Sequence, residues 1–515
     1  MKLIRRITAV AATAIAALLS PVHAASAQAK SEIVIALGAQ PPGLDSHINT
    51  VGVTNELTRN IFEGLVTMDS RLEVKPALAE SWSVSEDGKT YVFQLRKGVK
   101  FHNGAALTAK DVVASMERWS RLSNPGKLTF SKAVWTADGD AKVVLKMPAA
   151  TYKVLFTLGN AFNQPPSVMP ASIALANPDK PVREFIGTGP YKLREWVADQ
   201  HLVLERFAEY TAFPGAADGW AGNRTPEIDT LRFTFISDDA TRVLGLQTAQ
   251  FDVVPNVPPD SVQQLMDDKN TKVESYAHLA LFLITNKANG LFKDVKARKA
   301  VDVALDREEI LYAAASSEKL FSRNHHLMFD DQDALWKTDI GRKEYGTRDI
   351  NQGKKLLKEA GYDGRELVMI TSRDYSDIYN AAVMIQQQLT SIGVKVRLDS
   401  YDWPTFITMR AKKEGWDLLV INNTYKVDPT HWLHLAKNYA GFTDSPELEA
   451  ILAEFETAKD LKEAHVAYEK LMKWHLQYLP ASILGDELAS VAFGPKISQL
   501  PVMGGPVYWR ARLSK

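Results

Sequence analysis

Apolar and polar positions divide the chain into alternating strands and amphipathic helices. Tyr91, Phe93 and Leu95 alternate with Val92, Gln94 and Arg96, the period of a half-buried strand. The turn ahead of it, residues 85–89, holds Gly88 where positive φ is needed. Gly98 and Gly104 mark two more turns, and Thr108 then stands as N-cap to a helix with Val112, Val113, Met116 and Trp119 on one face. Earlier in the chain, residues 32–38 read as a strand that runs into a loop of turn formers at 39–45. Residues 55–65 read as a helix with Leu57, Ile61, Phe62 and Leu65 on its apolar side.

Beyond residue 187 the alternation of elements becomes regular. Strands at 192–196, 201–207, 230–236 and 251–254 combine with helices at 239–250 and 260–266, an order that implies a mostly parallel sheet covered by helices. Residues 280–286 form an apolar strand expected to cross between two lobes. A second α/β stretch follows, with strands at 366–371, 395–400 and 417–421 and helices at 295–305, 307–315, 352–360, 377–392, 404–412 and through 447–479. The chain's 515 residues are too many for one core, so two or three domains are expected.

Charge and address narrow the picture. Lys+Arg and Asp+Glu both number 61, which gives no basic surface for a polyanion, and nucleic acid is not an expected partner. Residues 1–29 read as a cleaved secretory signal: Lys2, Arg5 and Arg6, an apolar run from Ile7 to Leu19, then small residues around Ala24 to Ala27. The run is shorter than the ~20 residues a membrane-spanning helix needs, which ranks an uncleaved anchor below export. The chain has no cysteine, hence no disulfide framework and no lipid-anchor site, and a free periplasmic protein is expected.

The string from Pro76 to Trp119 resembles the signature of the extracytoplasmic solute-binding proteins of the dipeptide, oligopeptide and nickel class, family 5, which serve ATP-driven importers. The matching residues are Trp82-Ser83, Asp87-Gly88, Tyr91, Phe93, Leu95-Arg96, Gly98 to His102, Gly104, Thr108-Ala109 and Asp111-Val112. Gly187-Thr188-Gly189-Pro190-Tyr191 is another recurrent element of that family; as a phosphate loop it lacks the third glycine and the helix start. The resemblance implies an α/β, periplasmic-binding-protein-like (type II) clamshell of two lobes with an additional inserted lobe. The expected division is a first lobe from 30–65, 187–279 and 481–515, an inserted lobe at 66–186 and a second lobe at 280–480. It further implies a monomer that holds its solute between the lobes and hands it to permease subunits, with no cofactor.

Three loops carry candidate contacts by the same resemblance. Peptide-binding members hold the ligand's ammonium with an acidic residue in the first loop and another in the second lobe; here those positions are Gln40 and Tyr425, neither charged, and a short gap would bring Asp428 into play. A buried ammonium without a carboxylate is strongly unfavourable. Dipeptide-binding members clamp the ligand carboxylate with Arg-x-Tyr after a strand, matched by Arg373 and Tyr375, although Arg373 paired with Asp374 or Asp377 on the surface is the bland reading. Asn422, Asn423 and Tyr425 follow a strand whose end faces the cleft in open α/β sheets. Trp403 and Trp432 are more often core than stacking platforms. Together these imply a ligand with an anionic group and no conventional free α-amino terminus: a modified peptide, an opine-like conjugate, or an acidic or phosphorylated sugar.

Rival chemistry is weaker. His431 and His434 lie at helix spacing and His325-His326 are adjacent, too few for a specific nickel site, and Asp330-Asp331-Gln332-Asp333 lacks the Gly and Glu of a calcium loop. There is no Gly-x-Ser-x-Gly, no His-Glu-x-x-His and no thiol. Asp486-Glu487, a glycosidase-like pair by composition, sits on a strand where neighbours point to opposite faces.

Overall fold

The computed structural model describes residues 31–515, so the expected secretory signal lies outside the described residues. An eleven-stranded sheet runs through the molecule. Its middle is a pair of long antiparallel strands, Lys272–Thr285 and Ala481–Phe493. On one side follow Val253–Pro255, Glu32–Leu37, Thr230–Phe235, His201–Arg206 and Tyr191–Val197; on the other follow Leu418–Thr424, Glu366–Ser372 and Lys395–Tyr401. Glu32–Leu37 and Glu366–Ser372 each lie parallel to both neighbours, as the alternation of strands and helices requires. The central pair and the Tyr191–Arg206 hairpin are antiparallel, so the expected parallel character holds only within each flank.

The crossing strand begins eight residues before the apolar run that betrays it. From Lys272 to Leu279 its residues are exposed or half-buried, whereas Ala280 to Thr285 are all buried, so the hydrophobic pattern marks only its second half. Between these halves the pairing slips: Ala277 faces Leu488 and Leu279 faces Glu487, leaving His278 as the extra residue of a bulge. A bulge kinks a strand and re-aims a side chain, and this one falls where the chain passes from one flank of the sheet to the other.

The signature string supplies two strands of a separate four-stranded antiparallel sheet, Ala79–Val84 and Thr90–Leu95, which Lys142–Lys146 and Val134–Asp138 complete and the helix Ala109–Leu122 backs. Phe93, Leu145, Val112, Met116 and Trp119 are fully buried in its core; Val113 is only half-buried. Thr108 caps the helix by donating its backbone N–H (2.9 Å) and hydroxyl (2.7 Å) to Asp111. His102, in the middle of the string, docks on the Gly187–Gly189 segment through its N–H to Gly187 O (2.9 Å) and its ring Nε2 to Gly189 O (3.0 Å).

That segment explains why the first helix is Gly52–Ile61 rather than 55–65. Phe62 turns extended (φ −116°, ψ 155°), and Leu65 passes into the core of the smaller sheet. Gly189 N–H caps Ile61 O at 2.9 Å. A Cβ on Gly187 would lie 2.0 Å from Ile61 O and one on Gly189 2.5 Å from Asn60 O, so only glycine lets the two backbones approach. The two glycines serve packing, and they fix the helix that carries Asn55 and Arg59.

Candidate functional site

Four parts of the chain converge on a cavity of about 380 Å³ beside the bulge. The helix Gly52–Ile61 contributes Asn55 and Arg59, one turn apart and therefore on one face. The smaller-sheet region contributes Asn160, Phe162 and Asn163. The crossing strand supplies Tyr276 and His278, and the end of Leu418–Thr424 leads into Tyr425 and Lys426, which complete the wall. Tyr425 N–H donates to His278 O at 3.0 Å, so the loop is pinned to the bulge.

Side chains from separate stretches of the chain meet across the cavity. The Tyr425 ring is sandwiched between Phe162 (centroids 4.5 Å, 26°) and Phe329 (4.4 Å, 23°). Its hydroxyl donates to Asp331 at 2.8 Å. Next to the cavity, Tyr152 donates its hydroxyl to Asp428 at 2.5 Å and its N–H to Ala458 O at 3.0 Å, while Lys153 pairs with Glu456. These contacts join the region around the smaller sheet to the helices that follow residue 445.

The charge of the cavity wall is one-sided. Arg59 and Lys426 line it beside His278 and His431, whose pKa values burial lowers toward the neutral ring, and no aspartate or glutamate among the described residues does. Three nearby carboxylates are occupied by tyrosine hydroxyls, Glu56 by Tyr508 (2.6 Å), Asp331 by Tyr425 and Asp428 by Tyr152, and Asp377 accepts from Asn422. Arg59 is 7% exposed, stacks on Trp220 with 5.3 Å to the ring centroid, and among the described residues donates only to the carbonyls of Met503 (3.5 Å) and Gly504 (3.2 Å). Lys426 donates to Thr424 Oγ1 at 3.0 Å, and burial draws its pKa below the ordinary lysine value. Burial likewise lowers the pKa of His278, against the pull of Asp377. A buried guanidinium with as little compensation as Arg59 has is costly unless an anion meets it.

The residues proposed from sequence are scattered around this cavity, and Tyr425 alone of the seven lines it. Gln40 exchanges hydrogen bonds with Asp199, on the turn of the Tyr191–Arg206 hairpin. Arg373 is exposed, with its guanidinium over the Tyr379 ring at 5.4 Å, and Tyr375 meets Trp403 edge-on at 4.5 Å. Asn422 donates to Asp377, whereas Asn423, on the opposite face of its strand, is buried with its Nδ2 lacking a protein acceptor. Asp428 has both oxygens engaged, one by Tyr152 and the other by the N–H and hydroxyl of Thr430. Burial opposes its charge, but His431, Lys153 and these hydrogen bonds outweigh that and hold it below the usual carboxylate range. Trp432 is buried core, packed on Phe282.

Arg59, Lys426, His278 and Phe162 were not foreseen. The one available signal was a helix whose Asn55, Arg59 and Asn60 lie among apolar residues just after the first loop; all are buried. His431 and His434 fall in two separate 3₁₀ turns, Pro429–His431 and Leu433–Leu435, with His434 buried against Phe282, so no helix face presents both. Asp330 and Asp333 approach His326, their ligand-type atoms within 4.8 Å of one another, although Tyr468 already takes His326 Nδ1. Asp486 accepts from Asn324 and Glu487 faces Asp377, the opposite-face arrangement that strand geometry predicts.

Comparison with known proteins agrees with this architecture. The family model for bacterial extracellular solute-binding proteins, family 5, matches residues 73–439. A Sinorhizobium fredii protein named "Probable peptide ABC transporter periplasmic-binding protein" is 26% identical over 491 residues, 90% of each chain. The dipeptide-binding protein of Escherichia coli is 29% identical over 419 residues, 76% of this chain and 75% of that one. Among solved structures, NikA from Brucella suis in complex with Fe(III)-EDTA superposes with a TM-score of 0.80 over 94% of this chain and 100% of its own, at 20% identity. With a family match across most of its length and the type II binding-protein fold, this chain belongs to the bacterial extracellular solute-binding proteins of family 5.

Proposed function

We propose that this protein captures a peptide-like or other small anionic solute in the cavity between its lobes, in the periplasm, and delivers it unaltered to the permease subunits of an ABC importer. The observation that carries the reading is the cavity itself. Its wall is assembled from the first helix, the smaller-sheet region, the crossing strand and the 424–427 loop, so it is complete only when the lobes close. Its volume of about 380 Å³ suits a ligand of a few residues. Closure around a ligand is how hinged proteins couple binding to a shape that a partner can read. The names of the relatives favour ordinary di- or oligopeptides as a second reading.

Native mass spectrometry of protein purified from its own periplasm tests this. One small solute per chain is expected, with its mass absent from a Tyr425→Ala variant, whose cavity loses the ring between Phe162 and Phe329. Adding that solute at ~100 times its dissociation constant should stabilise the unliganded protein by about 2.7 kcal/mol. Turnover of the solute, or retention of it by Tyr425→Ala, would count against the reading.

A further inference from the structure

The cavity wall says more about the solute than its size, provided that the solute does sit between the lobes as proposed above. A site built for a zwitterionic peptide needs an acid for the ammonium, yet no aspartate or glutamate among the described residues lines the cavity, and Glu56, Asp331 and Asp428 nearby are each turned to a tyrosine hydroxyl. What remains facing inward is cationic. Arg59 enters from the first helix with three of its five N–H groups making no hydrogen bond among the described residues, and Lys426 enters from the loop across the cavity. Neither has a carboxylate within 4.0 Å among the described residues. Amides of Asn55, Asn160 and Asn163 and the ring of Phe162 offer neutral surface to the rest of a ligand.

We infer that the ligand is a compact dianion without a free ammonium group, one oxyanion seated on the Arg59 guanidinium and a second on the Lys426 ammonium. A guanidinium fork matches the two oxygens of a carboxylate, and a lysine serves as a point charge. Two separated cations also set a length: a monoanion satisfies one end and leaves the other without an anionic partner. Blocked acidic dipeptides and amino acids conjugated through nitrogen to a second acid have this chemistry. Ordinary dipeptides do not.

The test is a matched set of probes on ligand-free protein, read by isothermal titration and thermal shift: N-acetyl-Ala-Glu, N-acetyl-Ala-phosphoserine, N-acetyl-Ala-Gln and the zwitterion Ala-Gln. The two multiply charged blocked peptides should bind tightest, and the better of them identifies the oxyanion as carboxylate or phosphate. Arg59→Gln should weaken the preferred probe by about 100-fold and Lys426→Met by about 10-fold. Arg59→Lys should recover part of the loss, and circular dichroism should show each variant folded. If Ala-Gln binds as tightly as the dianions, survives Lys426→Met and is lost in Tyr425→Ala, the charge inference falls while capture in the cavity stands. Dianion affinity indifferent to all three positions would overturn both. Failure of any dianion to shift the melting temperature at millimolar concentration would overturn the charge inference.

Discussion

Two buried arginines, Arg118 and Arg59, occupy opposite electrostatic situations. Arg118, on the helix Ala109–Leu122, is 1% exposed and satisfies all five N–H groups. It makes a two-pronged pair with Asp45 (2.6 and 3.1 Å), meets His47 Nδ1 at 3.0 Å, and donates to the carbonyls of Asn177 and Lys180. Burial pushes His47 down to about 4, and its Nε2 sits 2.8 Å from Ser167 O, so a neutral ring accepts from Arg118. Arg59 is almost as buried, yet among the described residues it bonds two carbonyls and no carboxylate. A protein that completes one buried guanidinium and leaves another incomplete has used the first for its own fold and the second for something that arrives.

The largest effect that would break this contrast concerns Arg118. Removing one member of a buried pair strands the other charge, at a cost of about 3–5 kcal/mol. Arg118→Ala should therefore lose that much stability in urea unfolding, and Asp45→Ala a comparable amount. A loss below about 1 kcal/mol for either would show that the pair does not hold the first loop to the helix.

A smaller effect is expected at Asp428, a carboxylate within reach of the cavity that closure consumes. Tyr152→Phe removes the hydroxyl from its Oδ2 and leaves that oxygen buried with no donor, a cost of about 1–3 kcal/mol. The pH dependence fixes the sign. The folded pKa of Asp428 lies below its unfolded value near ~3.9, so its contribution is complete above that value and is lost as pH falls through the folded pKa. In Tyr152→Phe the folded pKa rises, and acid unfolding should begin at higher pH than in the parent. Small-angle scattering should also show a larger radius of gyration if the contact helps to keep the lobes closed.

The same contrast explains what could be read in advance. The fold was legible because its markers are local. Tyr91, Phe93 and Leu95 alternate, Thr108 caps, and Gly187 and Gly189 stand where the backbone leaves no room for a Cβ. The cavity was mostly illegible because its residues come from four distant stretches, joined by the bulge at His278, and a bulge leaves no period in the sequence. Arg373 and Asp428 drew attention by position in a motif, while the tertiary fold spends Asp428 on Tyr152 and leaves Arg373 exposed beside Tyr379. Charge balance around a site becomes visible only when every partner has been placed.

The smallest expected effect is the most informative. Unliganded Arg59→Gln forfeits two long hydrogen bonds to carbonyls and the stacking on Trp220, together about 1 kcal/mol, and it relieves a buried charge that Glu56 offsets without contact. Its net change in unfolding free energy should therefore lie within about 1 kcal/mol of zero, several kcal/mol less than Arg118→Ala. Adding an acidic blocked peptide should reverse the order of consequence: Arg118→Gln, if it folds, keeps most of the ligand-induced stabilisation, and Arg59→Gln loses most of it. Equal destabilisation by the two substitutions without ligand would mean that Arg59 is a structural cation like Arg118, and the asymmetry of the cavity wall would then carry no information about what binds there.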